Sequence, residues 1–284
     1  MSQLSGGVHQ GGPYVSRAFY VWSVVSGMLG GLIGIAIVGP ARFGEQIEPA
    51  MLPPLFLVEA LVFGAVAVMY VFYYKMWKAL PPAFARTTPG KAIGFLFIPI
   101  YNFYWMFKAV WGWTQDFNRY RHERNLGAAR APEGVALAMC ILGIIGTAAS
   151  LLMLAVGEGK LAGILALPNL VLTGIFLWQS ATALNAVPAE AREQVLAEHA
   201  ALAAQKPPVA SQGMGITSMV LGIASIVVCY VGLLLGIVAI VLAVVQKRRG
   251  RSGYATAGLI CGIAGTALWA LVIIILVVVL ALYR

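Results

Sequence analysis

The chain contains very few charged residues. Only 10% of its 284 residues are Asp, Glu, Lys or Arg, whereas 61% are hydrophobic, and the mean hydropathy is +0.87. Soluble domains carry about 25% charged residues, so this composition excludes an ordinary soluble domain and predicts an integral membrane protein. The net charge of +9 is therefore expected to orient the chain, with its basic loops in the cytoplasm, and not to bind nucleic acid.

Cysteine, histidine and catalytic motifs are equally scarce. The cysteines lie in apolar runs without a pairing motif and are expected to be small packing residues: Cys140, Cys229 and Cys261. The histidines lie in separate segments without metal-ligand spacing: His9, His122 and His199. The sequence contains no Ser/His/Asp constellation, phosphate-binding loop or paired carboxylates. It therefore predicts no metal, no cofactor and no catalytic residue.

Long apolar runs are the most prominent feature of the sequence. Runs of about 20 apolar residues are long enough to cross a bilayer, and they occupy 18–39, 55–74, 135–156, 161–182 and 255–283. The first run is too long for a cleavable signal peptide, whose apolar region has about 7–15 residues. We expect a disordered tail (1–17), a module of about four spans (18–182), a cytoplasmic helical linker (183–212) and a glycine-rich module of three helices (213–284). The predicted fold class is all-α, a polytopic helical integral membrane protein.

The stretch "GFLFIPIYNFYWMFKAVWGW" (94–113) decides the orientation. If it crossed the membrane, the basic segments 75–91 and 114–134, with four Lys or Arg each, would lie on opposite sides. If it does not cross, sixteen Lys and Arg residues are cytoplasmic and three are outside, namely Arg42, Lys160 and Arg284. The second distribution follows the positive-inside rule. We therefore predict an interfacial or re-entrant helix at 92–122, in a bacterial inner-membrane protein with a cytoplasmic N-terminus.

Helical spacing after Pro99 separates two faces of this helix. An apolar face holds Phe103, Met106, Val110, Trp113 and Phe117. The opposite side is aromatic and basic, and it provides a candidate surface for anionic headgroups or a protein partner. With the basic residues that follow, this surface comprises Tyr101, Tyr104, Lys108, Trp111, Arg119, Arg121 and Arg124. A simple topological anchor is the alternative interpretation of the basic residues.

Glycines spaced four residues apart recur in the apolar runs. Such G-x-x-x-G patterns let helices approach closely in lipid, and we expect them to pack helices within the chain or between chains, in a homo-oligomer or against a membrane partner. The glycines are Gly27, Gly30, Gly31, Gly34, Gly232, Gly236, Gly258 and Gly262.

Three polar residues lie within the predicted spans. Glu59 is the only acid well inside a span, and an intramembrane carboxylate is by default a functional candidate. However, it lies only about 8 Å along the helix from Pro54, which is also compatible with the outer interface. Asn169 and Gln179 are the other candidates for a polar intramembrane site.

Two resemblances point to bacterial membrane proteins. The segment "TTPGKAIGFLFIPIYNFYWMFKAVWGW" resembles a pattern found in uncharacterised bacterial multi-span proteins. Residues 213–275 resemble the glycine-rich domain-of-unknown-function family four-one-nine-zero, through "SMVLGIAS", "GLLLGIVAIVLAVVQKRR" and "GYATAGLICGIAG". The resemblance implies an inner-membrane protein and supplies no catalytic residue.

Abundant packing signals and little polar chemistry favour a non-enzymatic scaffold or assembly subunit. A small-solute or ion transporter that uses Glu59 and Asn169 is the alternative, and a lipid-modifying enzyme that uses the 101–122 surface is a lesser one.

Overall fold

The computed structural model describes residues 13–38, 52–98, 101–155, 159–205, 232–249, 255–256 and 258–267, with the single residues 218, 222 and 270. All regular structure in this part of the chain is helical, which confirms the predicted all-α class. The α-helices are α1 (Arg17–Val38), α2 (Leu52–Lys78), α3 (Pro89–Gly94), α4 (Tyr101–Met106), α5 (Gly112–Glu123), α6 (Glu133–Ala155), α7 (Gly159–Asn185), α8 (Ala189–Ala204), α9 (Gly232–Arg249) and α10 (Gly258–Ala267).

The chain divides into two compact units. The first comprises Met1–Ile93 with Phe103–Ala200, and the second comprises Gly94–Asn102 with Ala201–Arg284. In the first unit α1 packs against both α2 and α7, and α7 packs against α6. The four long helices therefore follow the order α2, α1, α7, α6 across the unit.

Two helical stretches are long and apolar enough to cross a membrane, judged by length and composition: Ala60–Lys78 and Ile164–Asn185. Four further apolar helices are shorter within the described residues: Arg17–Ile33, Glu133–Ala149, Gly236–Gln246 and Gly258–Ala267. The described part of the chain thus contains two candidate spans, fewer than the sequence predicts.

Glycines bring α1 and α2 into close contact. A Cβ atom added at Gly27 would lie 2.6 Å from the Cβ atom of Ala65, and one at Gly31 would collide with Val62. At Gly30 the nearest atom, in the side chain of Leu61, would be 3.7 Å away, which is an ordinary contact. The Gly27/Gly31 pattern of α1 therefore packs within the chain, while the surroundings of Gly34, in the other pattern, lie outside the described residues.

Glycines also join helices of the second unit. A Cβ atom at Gly236 of α9 would collide with Thr266 of α10, and one at Gly262 would lie 3.0 Å from the carbonyl oxygen of Gly236. A Cβ atom at Gly222 would lie 2.8 Å from the carbonyl oxygen of Gly258. Close backbone approach of this kind requires residues without side chains. The surroundings of Gly232 lie outside the described residues.

The segment 92–122 is not one continuous helix. After α3, a 3₁₀ turn covers Phe95–Phe97, and Ile98 is extended (φ −83°, ψ 114°), the conformation expected of a residue before proline. The chain is helical again from Tyr101 to Glu123, with a π-turn at Phe107–Trp111 between α4 and α5.

Candidate functional site

Buried tryptophans fasten the chain between α2 and α6 into two antiparallel arms, 86–92 and 103–118. The indole N–H of Trp105 donates to the carbonyl oxygen of Ala92 (3.0 Å), so the arms lie side by side. Two further bonds join the second arm to the end of α2: Trp77 donates to Ala109 (2.8 Å), and Trp113 donates to Met76 (2.7 Å). Ala109 lies in the π-turn, so one of these bonds satisfies a carbonyl where the helix is irregular.

A bidentate ion pair closes the base of the two arms. The guanidinium group of Arg86 donates to both carboxylate oxygens of Asp116 (2.9 and 2.8 Å), and the backbone N–H of Arg86 donates to one of them (3.0 Å). Asp116 is 1% exposed, whereas the side chain of Arg86 is 39% exposed. The partly exposed guanidinium group of Arg86 therefore neutralises the buried carboxylate of Asp116. Hydrogen bonds between two charged groups are stronger than those between neutral groups.

Asn118 ties the second arm to the start of α6. Its amide donates to the carbonyl oxygen of Ala131 (3.0 Å) and to Glu133 (2.6 Å), and its oxygen accepts the N–H of Ala131 (2.8 Å). Farther along, the thiol of Cys140 lies 3.6 Å from the carbonyl oxygen of Met106. Residues 106–118 therefore run antiparallel along the first turns of α6.

A Schellman motif ends α5 beyond this point. Leu126 N–H donates to the carbonyl oxygen of Arg121 (2.9 Å), Asn125 N–H donates to that of His122 (3.1 Å), and Asn125 adopts a left-handed conformation (φ 48°).

The start of α1 lies beside the ends of α2 and α7. The amide of Asn185 forms two hydrogen bonds with the backbone of Val15 (3.0 and 2.8 Å), as a neighbouring strand would. The hydroxyl group of Tyr14 donates to the carbonyl oxygen of Lys75 (3.3 Å). With the contacts of Trp113 and Asn118, these bonds gather the start of α1, the end of α2, the start of α6 and the end of α7 at one end of the first unit, here called the basic end.

The basic end holds most of the cations of the first unit. They are Arg17, Lys75, Lys78, Arg86, Arg119, Arg121, Arg124, Arg130 and Arg192. The acids of the same end are fewer: Asp116, Glu123, Glu133, Glu190, Glu193 and Glu198. Helix α8 also docks here, because His199 lies 2.9 Å from the carbonyl oxygen of Leu80 and Val195 is buried. The end therefore carries a net positive charge, and α8 packs against it.

An aromatic cluster around Phe84 organises two of the predicted surface arginines. Tyr120 packs edge-on against the Phe84 ring (5.2 Å between centroids), and the guanidinium groups of Arg119 and Arg124 lie 6.0 and 5.9 Å from that ring. Arg119 also donates to the carbonyl oxygen of Phe84 (2.8 Å). Burial raises the pKa of the Tyr120 phenol, and the charge of Arg124 opposes this effect.

The predicted lipid or partner surface is accessible at most of its positions. Tyr101, Tyr104, Lys108, Arg119 and Arg124 are exposed. The others are half-buried: Trp111, and Arg121, which donates to the carbonyl oxygen of Ala128 (3.4 Å). The burial of these residues departs from the predicted helix faces at Phe103. It was predicted on the apolar face but is exposed, whereas Trp105, two residues later, is buried.

The predicted polar intramembrane residues do not lie at one level. Contact between the rings of Tyr73 and Phe176 aligns α2 with α7. Asn169 precedes Phe176 by seven residues and Glu59 precedes Tyr73 by fourteen, so their backbones are offset by about 10 Å along the helices. The side chain of Glu59 lies outside the described residues, and Gln179 is exposed. The amide oxygen of Asn169 is buried and has no hydrogen-bond partner within the described part of the chain.

Among the described residues, no group of three or more His, Cys, Asp or Glu side chains is suitably placed to hold a metal ion.

The structural centre of the site consists of three buried tryptophans with Arg86, Asp116 and Asn118. Of these residues the sequence pattern indicates only Trp113, as part of the apolar face. No family model, curated protein or solved structure matches the chain. The resemblances described above therefore remain predictions.

Proposed function

We propose that the chain is a non-enzymatic scaffold or assembly subunit of the bacterial inner membrane, a multi-pass protein with its N-terminus and its basic end in the cytoplasm. In this placement the basic end rests against anionic headgroups and presents its cations to a membrane partner or a second copy of the chain.

The observation that supports this proposal is that most cations of the first unit lie at one end of it, the basic end. Segments 75–91 and 114–134 contribute seven of their eight Lys and Arg residues, all except Lys91, to the basic end of the first unit. One orientation therefore places these seven on the cytoplasmic side, as the positive-inside rule requires. The arm 103–118 runs along α6 and not across its end. It would thus enter the membrane from the cytoplasm as a re-entrant element, and it would not lie flat in the interface.

The bonding of this element also suits such a placement. Irregular backbone is tolerated within a membrane only where it is buried in protein or lines a water-filled cavity. The π-turn meets this condition, since Ala109 and Val110 are buried and Trp77 donates to the carbonyl oxygen of Ala109.

The hydrogen bonding of the buried polar side chains favours a scaffold over an enzyme or a transporter. Asp116 and Asn118 are buried and engaged in structural hydrogen bonds, and they are not held ready for a substrate. A transport path through Glu59 and Asn169 would need these residues to converge, and the offset between their backbones, about 10 Å along the helices, does not favour this.

Thermal unfolding of the full-length protein in nanodiscs tests the proposal. Phosphatidylglycerol is expected to raise the Tm above that in pure phosphatidylcholine. In the double variant Arg119→Gln, Arg124→Gln this gain should shrink by about 1 kcal/mol per cation removed, which corresponds to roughly 2–4 °C each. Comparing one variant in both lipids cancels any loss of structural bonds, such as the bond from Arg119 to Phe84.

The matched control is the double variant Arg119→Lys, Arg124→Lys, which keeps both charges and should keep the gain. Equal Tm values of the wild-type protein in the two lipids would contradict the lipid contact. Solute flux through proteoliposomes that Asn169→Leu abolishes would replace the scaffold with the transporter.

A further inference from the structure

Lys108 is the cation of the second arm that does not belong to the basic end. Its ammonium group lies 5.2 Å from the centroid of the Tyr104 ring and 5.6 Å from the Trp105 ring. Lys108 and Tyr104 are exposed, while Trp105 is buried. The side chain therefore folds back towards the start of its own helix, onto two rings that cover only part of the ammonium group.

The position of Lys108 along the unit is unusual for a lysine. It precedes Asn118, which bonds to the start of α6, by ten residues, or about 15 Å of helix. In the proposed membrane placement Lys108 lies on the membrane side of the basic end, where a charged group is costly unless it is paired.

Nothing in the described part of the chain neutralises this charge with a carboxylate. The ion pairs found there join Asp116 to Arg86 and Arg119. Cation–π contact with Tyr104 and Trp105 offsets part of the desolvation, and it leaves N–H donors of the ammonium group for an anion. The exposed rings of Phe103 and Tyr104 add an apolar surface next to these donors.

We propose that Lys108, Tyr104 and Trp105 form a binding site for the phosphate of an anionic phospholipid, with an acyl chain packed on the exposed rings. The inference rests on the proposed membrane function. A phospholipid fits better than a free phosphate because the site combines one cation with an exposed aromatic flank on an apolar helix. The site is distinct from the arginine cluster around Phe84, which lies at the far end of the same arm.

Native mass spectrometry of the full-length protein with added phosphatidylglycerol tests the site. Lys108→Met is expected to weaken the most tightly retained lipid about fivefold, the factor that corresponds to one basic residue at a membrane. Lys108→Arg should retain the lipid. The control is Arg248→Met, which removes an exposed cation outside the basic end, in α9 of the second unit, and it should leave this lipid in place.

Three results would overturn the inference: equal lipid retention by Lys108→Met and the wild-type protein, equal weakening by Arg248→Met, or complete displacement of the lipid by millimolar inorganic phosphate. Lipid retention by the variants and the wild-type protein is compared at equal folded fraction, measured by thermal unfolding. A folding defect in Lys108→Met is thereby distinguished from a loss of lipid binding. If retention is unchanged while the Arg119/Arg124 variant still loses its phosphatidylglycerol gain, the inference fails and the proposed function stands.

Discussion

Asp116 shows how a residue can be central to the fold without being conspicuous in the sequence. It is one of two acids in α5, among aromatic and basic residues, and its partner Arg86 precedes it by thirty positions. Helical spacing predicts neighbours three or four residues apart, so it does not pair these two. Only the antiparallel arrangement of the arms, held by the bond from Trp105 to Ala92, brings them together.

The two partners of this ion pair are expected to respond unequally to substitution. Arg86→Met leaves the buried carboxylate of Asp116 with only its longer contact to Arg119 (3.6 Å) and should cost about 3–5 kcal/mol of unfolding free energy. Asp116→Asn leaves a cation that can reach water, and it should cost only about 1.5–3 kcal/mol, the value of hydrogen bonds to a charged group. Chemical unfolding of the full-length protein in detergent micelles measures both, with the exposed Arg130→Met as a control. A larger loss for Asp116→Asn would contradict the assignment of the buried charge.

At the scale of elements, helical spacing predicts the buried positions correctly in the second half of 101–123. In the first half the buried positions are shifted by one residue. Val110, Trp113 and Phe117 were predicted on the apolar face, and all three are buried. Upstream of the π-turn the buried positions slip by one residue, so that Trp105 is buried in place of Met106, which is only half-buried. The π-turn inserts one residue into the repeat, and a count at 100° per residue does not anticipate it.

The same slip explains two residues near the start of the helix. Phe103 becomes exposed, and the amide oxygen of Asn102 becomes buried although Asn102 fits neither face of a regular helix.

Contact between α1 and α2 predicts opposite effects for two glycines. Gly27→Ala places a methyl group 2.6 Å from the Cβ atom of Ala65 and 2.9 Å from the carbonyl oxygen of Leu61. The helices must then separate, at a cost of about 1–3 kcal/mol. At Gly64 no atom lies within 4 Å of the added Cβ atom, so Gly64→Ala should be neutral, or more stable by up to about 1 kcal/mol because alanine favours the helix.

Thermal unfolding of the full-length protein compares the two variants, and size-exclusion chromatography in mild detergent reports their assembly state. A Gly27→Ala variant that unfolds like the wild-type protein but changes its assembly state would place this glycine face between chains and not within one.

For the whole molecule, the excess of Lys and Arg predicts that segments 75–91 and 114–134 share one side, and the contacts among Met76, Trp113, Asn118 and Ala131 bring these segments to one end. The sequence left open whether the intervening helix lies flat or enters the membrane, because both arrangements need the same amphipathic pattern. Within the proposed placement, the contact of Met106 with Cys140 favours entry, since it aligns the arm with α6. Hydrophobic periodicity does not specify such long-range contacts.

Cysteine accessibility in cells tests this arrangement. In a background without Cys140, Cys229 and Cys261, single cysteines replace the exposed Ala83 and Ala129, and Lys160 in the hairpin of α6 and α7. Membrane-impermeant maleimide added to intact spheroplasts should label Lys160→Cys alone, whereas inverted vesicles should expose Ala83→Cys and Ala129→Cys together. The reason is that residues 84–128 leave and rejoin the same end of the unit. Labelling of Ala83→Cys and Ala129→Cys from opposite sides would mean that the stretch 94–113 crosses the bilayer, and the re-entrant arrangement, the orientation and the lipid site at Lys108 would fall together.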